Sequence, residues 1–292
     1  MMFRSCVWHH RINKVIIMPE LPEVQTVIND LNEIGLISTA IKRAHVYWER
    51  TIATPGCKEF RKRIERQRIT AISRRGKYII LQLSEDFLLI HLRMTGRLHI
   101  KTADEERLPH EHVVLDLDDD RQLRFHDTRK FGRWYLVRNP EDVLGKLGPE
   151  PLDASFTKTR FVDMLAKRRR AVKPLLLDQS FVVGLGNIYI DEALWHASIH
   201  PSRSASSLSN SEVEALHRAI QRVLREGLQN LGTTLGTGQT NFYSIAGRRG
   251  KNEAHLNVFR RTGMPCARCA DSEIKRIVLS QRSTHYCPKC QI

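Results

Sequence analysis

The spacing of hydrophobic positions changes along the chain. Behind Met18, Val24, Val27, Ile28, Leu31 and Ile34 recur at three- and four-residue steps, with Gly35 directly after them. This spacing predicts an amphipathic helix that begins around Pro22, a residue suited to a first turn, and stops at Gly35. From about residue 37 to 138 the pattern shortens. The runs 78–83, 87–92 and 112–117 are dense in Ile, Leu and Val, and Ser84-Glu85-Asp86 and Asp118-Asp119-Asp120 punctuate them. Short strands at this spacing predict an antiparallel sandwich or barrel. The stretch from Gly145 to Pro151 reads as a linker. Beyond it the helical period returns. Phe161, Leu165, Val172 and Leu176 fall on one face around the cationic run Lys167-Arg168-Arg169-Arg170. Val213, Leu216, Ile220, Val223 and Leu228 mark a further helix, structural in character, which Ser209 and Glu212 can open as a capping box. The fold class is α+β, with more than one domain.

Length and charge narrow the partner. At 292 residues the chain has room for about two domains, each with a core. Its 47 Lys and Arg against 32 Asp and Glu leave a net charge of +15. Three of these cations, Arg4, Arg11 and Lys14, precede Met18, and the excess persists without them. Such a balance favours a polyanion, nucleic acid before a membrane surface. No apolar run approaches the ~20 residues that span a bilayer. Of six cysteines, Cys6 and Cys57 stand alone and four cluster at the end of the chain. That distribution suits a reducing, cytoplasmic compartment and one metal site better than a secreted disulfide framework.

The candidate chemistry sits near the two ends. Cys266, Cys269, Cys287 and Cys290 form C-x2-C-x17-C-x2-C, the spacing of a tetrahedral structural zinc site on two knuckles of a ribbon, with Arg282 between the ligand pairs. At the other end lies Pro19-Glu20. Inside a chain the proline nitrogen is an amide. Freed of Met18 it becomes a secondary amine, and α-amino groups titrate near roughly 8. Such an amine can attack a sugar carbon and form an iminium, with Glu20 beside it as general acid or base. Residues 1–18 offer only Val15-Ile16-Ile17 as an apolar run and no small-residue cleavage site, so they do not read as a signal peptide. Either they are an upstream start-site extension, with translation beginning at Met18, or they are a real extension that blocks Pro19.

Other motifs suit DNA. Arg74-Arg75-Gly76-Lys77 precedes a strand and reads as a solvated turn or a phosphate contact, with Gly76 allowing close backbone approach. Arg129 and Phe131 share a face if extended, and an exposed Phe and Met94 beside an Arg fit base extrusion, in which apolar wedges fill the vacated stack. Gly184-Leu185-Gly186-Asn187 leads into a helix, where backbone N–H groups suit an anion. Residues 232–252, rich in Gly and Thr, predict a mobile loop.

Met18-Pro19-Glu20-Leu21-Pro22-Glu23-Val24, the Met94, Arg129 and Phe131 set, the Val182 to Tyr189 stretch and the cysteine tail together resemble the formamidopyrimidine-DNA glycosylases. The similarity runs from Met18 to the C-terminus. It implies a two-layer antiparallel β-sandwich flanked by helices, forming a catalytic domain over 19–148. A helical helix–two-turn–helix DNA-binding domain over 152–253 and a zinc ribbon over 254–292 follow, with 1–18 outside the fold. It also implies a monomeric bifunctional glycosylase and AP lyase, acting on double-stranded damaged DNA with one structural Zn2+. Such an enzyme excises oxidised purines through a proline Schiff base and β,δ-elimination. By the same resemblance Pro19 is the nucleophile, Glu20 protonates the deoxyribose ring oxygen, Lys77 donates a proton in β-elimination, and Arg282 binds phosphates and serves δ-elimination. Met94, Arg129 and Phe131 occupy the vacated step, with Arg129 facing cytosine. His91, His110 and Asn187 contact DNA, and the 232–252 segment caps the flipped base; Arg168, in the cationic run 167–170, reads from its charge as either a solvated face or a further phosphate contact. Thr128-Arg129-Lys130 stands where many members read Pro-Arg-Arg, which leaves Arg129 aligned. Two alternatives stay open: an endonuclease VIII-like enzyme for oxidised pyrimidines, against which Leu21 and the Met94 set count, and a non-catalytic damaged-DNA-binding protein with Pro19 blocked.

Overall fold

The computed structural model describes residues 18–236 and 242–292. The expectation for residues 1–17, and that for 237–241 of the loop, lie outside the described residues.

Helix α1 (Leu21–Glu33) is capped by Glu20, whose N–H donates to Glu23 Oε2 at 2.9 Å. It stops where predicted: Gly35 takes a left-handed φ of 74° and its N–H donates to Asn32 O. Val24, Val27, Ile28 and Leu31 form its buried stripe.

Nine strands follow in the first half: β1 (Ile41–Val46), β2 (Ile52–Thr54), β3 (Ile69–Arg75), β4 (Tyr78–Leu83), β5 (Phe87–His91), β6 (Arg97–Thr102), β7 (Glu111–Leu117), β8 (Arg121–His126) and β9 (Arg133–Val137), with α2 (Cys57–Ile64) between β2 and β3. They build a four-stranded sheet, β1-β7-β8-β6, and a five-stranded sheet, β2-β9-β5-β4-β3. The expected strand runs became β4, β5 and β7. Pairing is antiparallel except at β2, which lies parallel to β9. No tight turn joins those two strands, so nothing local sets their direction. Between the sheets Ile79, Leu81, Leu88 and Trp134 meet Val113, Leu115, Leu123 and Phe125, and α1 closes one side of this core. The Phe125 and Trp134 rings meet edge-on, 5.6 Å apart.

A second core lies in the helical half. After α3 (Glu141–Leu144) come α4 (Lys158–Ala166), α5 (Val172–Leu176), α6 (Asn187–His196) and α7 (Asn210–Gln229). Phe161, Leu165, Val172 and Leu176 all enter this core, but from two helices rather than one face of a single helix. The fully exposed run 167–170 separates them. Pro174 is tolerated only in a first turn, so a new helix has to start just before it. The Ser209–Glu212 capping box forms as expected, with Ser209 N–H donating to Glu212 Oε2 at 2.7 Å. Leu21, the first residue of α1, belongs to this second core rather than the first, so α1 joins the two halves.

The C-terminal ribbon is the hairpin β10 (Lys275–Leu279) and β11 (Arg282–Tyr286). Its two turn residues, Ser280 and Gln281, have φ of 47° and 62°. Two consecutive positive φ values give the tight turn that suits a twisted hairpin, and Arg282 emerges directly from it.

Candidate active site and DNA-facing surface

The start of α1 is held by the far half of the chain. Leu21 N–H donates to Gly184 O at 3.0 Å, and Ile188 N–H donates to Glu20 Oε1 at 2.9 Å. Glu20 is 2% exposed and its Oε2 has no partner. Burial pushes its carboxyl up to about 7, against the pull of the Lys77 ammonium. A carboxyl near neutrality can give and retake a proton at physiological pH. Glu23 beneath it accepts from Glu20 N, Tyr189 Oη and Thr233 N. Pro19 is buried one residue before Glu20 and faces a narrow cleft with Leu92, Met94 and Phe242.

Glycine makes this approach possible. A Cβ on Gly186 would lie 2.4 Å from Glu20 Cδ and 2.6 Å from its Oε1. Gly186→Ala is therefore expected to push the carboxyl aside and to lower single-turnover base excision by about 10²-fold, the usual cost of ~1 Å misplacement. The thermal midpoint should shift far less than the rate; an unchanged rate would show that Glu20 need not sit there.

A cavity of about 340 Å3 opens in front of Glu20, and Lys77, His91, Met94, Asn187 and Arg282 also line it. These residues come from a hairpin turn, a strand end, the loop that follows it, a helix start and the ribbon. Lys77 is buried, which pushes its ammonium down, while Glu20 pulls the other way. Burial, then Arg93 and Lys77, lower His91 to about 3. It is neutral at pH 7. Its Nδ1 accepts from Arg93 N–H at 3.0 Å, so Nε2 carries the proton and can donate.

Met94, Arg129 and Phe131 come together from two loops. Arg129 Nη1 donates to Met94 Sδ at 3.2 Å, and its guanidinium lies 4.7 Å over the ring of Phe131, which is 45% exposed. Fully buried Asp127 joins the loops: it accepts from Thr95 Oγ1, from Arg129 N at 3.2 Å and from Gly132 N at 2.7 Å. His110 is exposed with φ of 69°, and its carbonyl accepts from Asp127 N. Arg168 stands on the exposed run after α4, outside the cavity.

One basic motif has a different partner from that expected. Glu150 accepts from Arg74 at 3.1 Å and from Gly76 N at 2.5 Å, and forms an ion pair with Arg75 at 3.2 Å. A Cβ on Gly76 would meet Val183 Cγ2 at 2.2 Å. This carboxylate occupies the place of a phosphate, and Arg74 to Gly76 tie the linker to the sheet instead of contacting an outside anion.

The ribbon is docked on the start of α6. Asn187 Nδ2 donates to Ser283 O at 2.9 Å, while Asn187 Oδ1 is buried without a partner. Lys173, completely buried, donates to Asp191 at 2.6 Å and to Ser283 O at 3.0 Å, and Asp191 accepts from His285 N. The four cysteine sulfurs lie within 4.8 Å of one another, with Cys266 and Cys290 3.8 Å apart. Four thiolates around zinc at ~2.3 Å require sulfur separations of ~3.8 Å. Trp195 Nε1 donates to Cys266 Sγ at 3.4 Å, a supporting bond to a ligand. The site fits one structural zinc ion.

The Formamidopyrimidine-DNA glycosylase N-terminal domain model matches residues 18–134, its H2TH domain model matches 147–238, and a zinc finger found in FPG and IleRS matches 263–292. The formamidopyrimidine-DNA glycosylase of Protochlamydia amoebophila is 48% identical over 275 residues, covering 94% of this chain and 99% of that protein. That of Enterococcus faecalis is 43% identical over 278 residues, covering 94% and 97%. The chain belongs to the formamidopyrimidine-DNA glycosylase family. The Lactococcus lactis member bound to Fapy-dG-containing DNA superposes with a TM-score of 0.84 at 37% identity, covering 93% of this chain and 99% of that one. The same protein bound to abasic-site DNA gives 0.85. The present family member is a DNA glycosylase with AP lyase activity for base excision repair of oxidised purines. None of its described helices is long and apolar enough to cross a membrane.

Several residues that shape this glycosylase's site carried no sequence signal. Thr95, Asp127, Glu150, Lys173 and Asp191 act through partners 18 to 110 positions away. Only the fold makes those pairs.

Proposed function

We propose that this glycosylase, once Met18 is removed, attacks the damaged nucleotide with the Pro19 nitrogen. The nitrogen lone pair adds to C1′ as Glu20 gives its proton to the deoxyribose ring oxygen. The C1′–O4′ bond breaks and the sugar opens. The nitrogen then gives up its N–H proton, and the lone pair so regained expels the oxidised purine, which takes up that proton, and forms an iminium at C1′. The iminium acidifies a 2′ hydrogen, so β- and then δ-elimination cut the strand on both sides. Lys77 serves as proton donor in the first elimination and Arg282 holds the phosphates through the second. Met94, Arg129 and Phe131 fill the vacated step, Arg129 donating to the orphaned cytosine. His91, His110, Arg168 and Asn187 grip the backbone. The domains run 19–148, 152–253 and 254–292, and the protein acts as a monomer on the bacterial nucleoid, in the cytoplasm.

One observation carries this reading. Glu20 is a buried carboxyl raised to about 7, next in sequence to Pro19 and facing a cavity shared with Lys77 and Arg282. Zinc, held by the four cysteines, would supply only the scaffold of the ribbon.

The test is borohydride trapping on an 8-oxoguanine:cytosine duplex, using protein begun at Met18 and shown by mass to start at Pro19. We expect a covalent protein–DNA band that Pro19→Gly loses while DNA binding persists, and no band from chains still carrying Met18. Binding without an adduct or a nick would defeat the Schiff-base reading for that lesion.

A further inference from the structure

Helix α1 follows directly on Pro19 and Glu20, and in its third turn it carries another carboxylate, Asp30, that takes no part in the chemistry above. Asp30 is completely buried. It accepts from Ala246 N–H at 2.9 Å and from Arg248 Nη2, and Arg248 also reaches Glu33 at 3.1 Å. Both partners of Asp30 stand on a tight turn: Gly247, with φ of 72°, donates its N–H to Ser244 O, and Arg248 N–H donates to Ser244 Oγ at 3.1 Å. Just before this turn Phe242 is buried in the sandwich core, and its carbonyl accepts from Thr234 Oγ1 at 2.6 Å. The ring of Tyr243 lies 5.5 Å from the Arg97 guanidinium. Phe242 and Tyr243 line the narrow cleft at Pro19, together with Val27, one turn before Asp30 on the same face of α1. One helix thus fixes Pro19 at its start and, through Asp30, one wall of the cleft that Pro19 faces.

We propose that Asp30 and Arg248 are positioning residues for base excision: their ion pair sets the Phe242–Tyr243 wall against which the extruded purine rests beside Pro19. This rests on the reading that Pro19 is the nucleophile. Met94 lines both this cleft and the larger cavity that holds Lys77 and Arg282. A base leaving C1′ at Pro19 therefore abuts the wall, while its sugar and phosphates lie toward Lys77 and Arg282. A buried carboxylate persists only where partners satisfy it, and both partners of Asp30 belong to the segment that carries the wall. The contacts that seat Glu20 come from Ile188 and Glu23 instead, so the wall can be loosened without moving the acid.

The test compares two substrates, using protein begun at Met18 and shown by mass to start at Pro19. One duplex carries 8-oxoguanine opposite cytosine, whose base must be held; the other carries a preformed abasic site, which has no base. Arg248→Gln changes a partly exposed residue and should fold, and Asp30→Asn keeps the shape and can still accept from Ala246. Each is expected to lower the saturating single-turnover excision rate by about 10- to 100-fold, the scale of a misplacement of up to ~1 Å, with strand cutting at the abasic site within about twofold of wild type. The double variant should lose no more than the worse single variant, because the two residues act as a pair. Unchanged excision by Arg248→Gln, additive losses in the double variant, or equal slowing on both substrates would overturn the proposal; equal slowing would show a pair that only supports the fold. Wild-type protein that cuts neither substrate and traps no adduct would instead defeat the reading of Pro19 itself.

Discussion

Glu20→Gln is expected to abolish base excision, lowering the single-turnover rate on 8-oxoguanine by at least ~10³-fold, toward the upper range for a lost general acid. Gln keeps the shape and the bond from Ile188 N–H to Oε1, so the loss would be chemical and not a collapse of the site. The carboxyl sits near pH 7 because it is fully buried, with Lys77 pulling its pKa down. Two pH effects follow. On the proposed mechanism excision needs Glu20 protonated and the Pro19 amine neutral, so the rate should peak between the two titrations and fall on the alkaline side as Glu20 ionises. Stability shows the same group from the other side. Its folded pKa is raised above the unfolded value, so the protonated form favours folding. That contribution is full below about pH 4.5 and is lost as pH rises through about 7. The wild type should therefore lose stability relative to Glu20→Gln between pH 4.5 and 7.5. Parallel denaturation curves at pH 5 and pH 8 read this directly. A variant that still excised the base would remove Glu20 from the mechanism, and a pH-independent stability difference would place its pKa elsewhere.

The second large effect is expected from the zinc site. Cys287→Ser, or a chelator, should remove the metal and cut affinity for lesion duplex by about 100-fold or more, while most of the molecule stays folded. The ribbon buries little of its own: Cys266, Ile274 and Cys287 are its contribution to a small cluster with Trp195 and Val258. That is far too little to order 30 residues, whereas a structural zinc ion contributes roughly 10–16 kcal/mol of folding free energy in small domains. The two large cores contain no residue after Phe259. Losing the metal should free β10 and β11, take Arg282 from the cavity, and leave the Lys173 ammonium without its Ser283 acceptor. Metal content, the far-ultraviolet spectrum and DNA affinity would be measured on one sample. Retention of full affinity by metal-free protein would show that the ribbon orders itself or is not needed to hold DNA.

What could be read in advance was local. The α1 stripe and its Gly35 stop, the three Ile/Leu/Val strands, the Ser209–Glu212 cap and the cysteine spacing each lie within one element or one short loop. Their physics is complete in a window of a dozen residues. The failures were of two kinds. Phe161 to Leu176 keeps a helical period across Lys167–Arg170, yet Pro174 and the exposed charges split it; period alone does not register a break. Arg74 and Arg75 are chemically ready for phosphate, and only the return of Glu150 to the same place gives them to a carboxylate. The same holds for the parallel β2–β9 pair and for Lys173 with Asp191. A partner distant in sequence decides each of them.

The bond from Ile188 to Glu20 spans 168 positions, and those from Leu21 to Gly184 and from Thr233 to Glu23 are of the same kind. The ribosome makes Pro19 well before the residues that anchor it, and domains tend to fold in that order. On the proposed mechanism a growing chain thus carries its amine before its acid has a seat. The reactive pair is assembled only after residues 184–188 and 233 have emerged and folded back. Until then Glu20 is solvated, with an ordinary carboxylate pKa, and is a poor proton donor at neutral pH. On that mechanism a chain interrupted in the linker would carry a nucleophile whose acid is not yet in place.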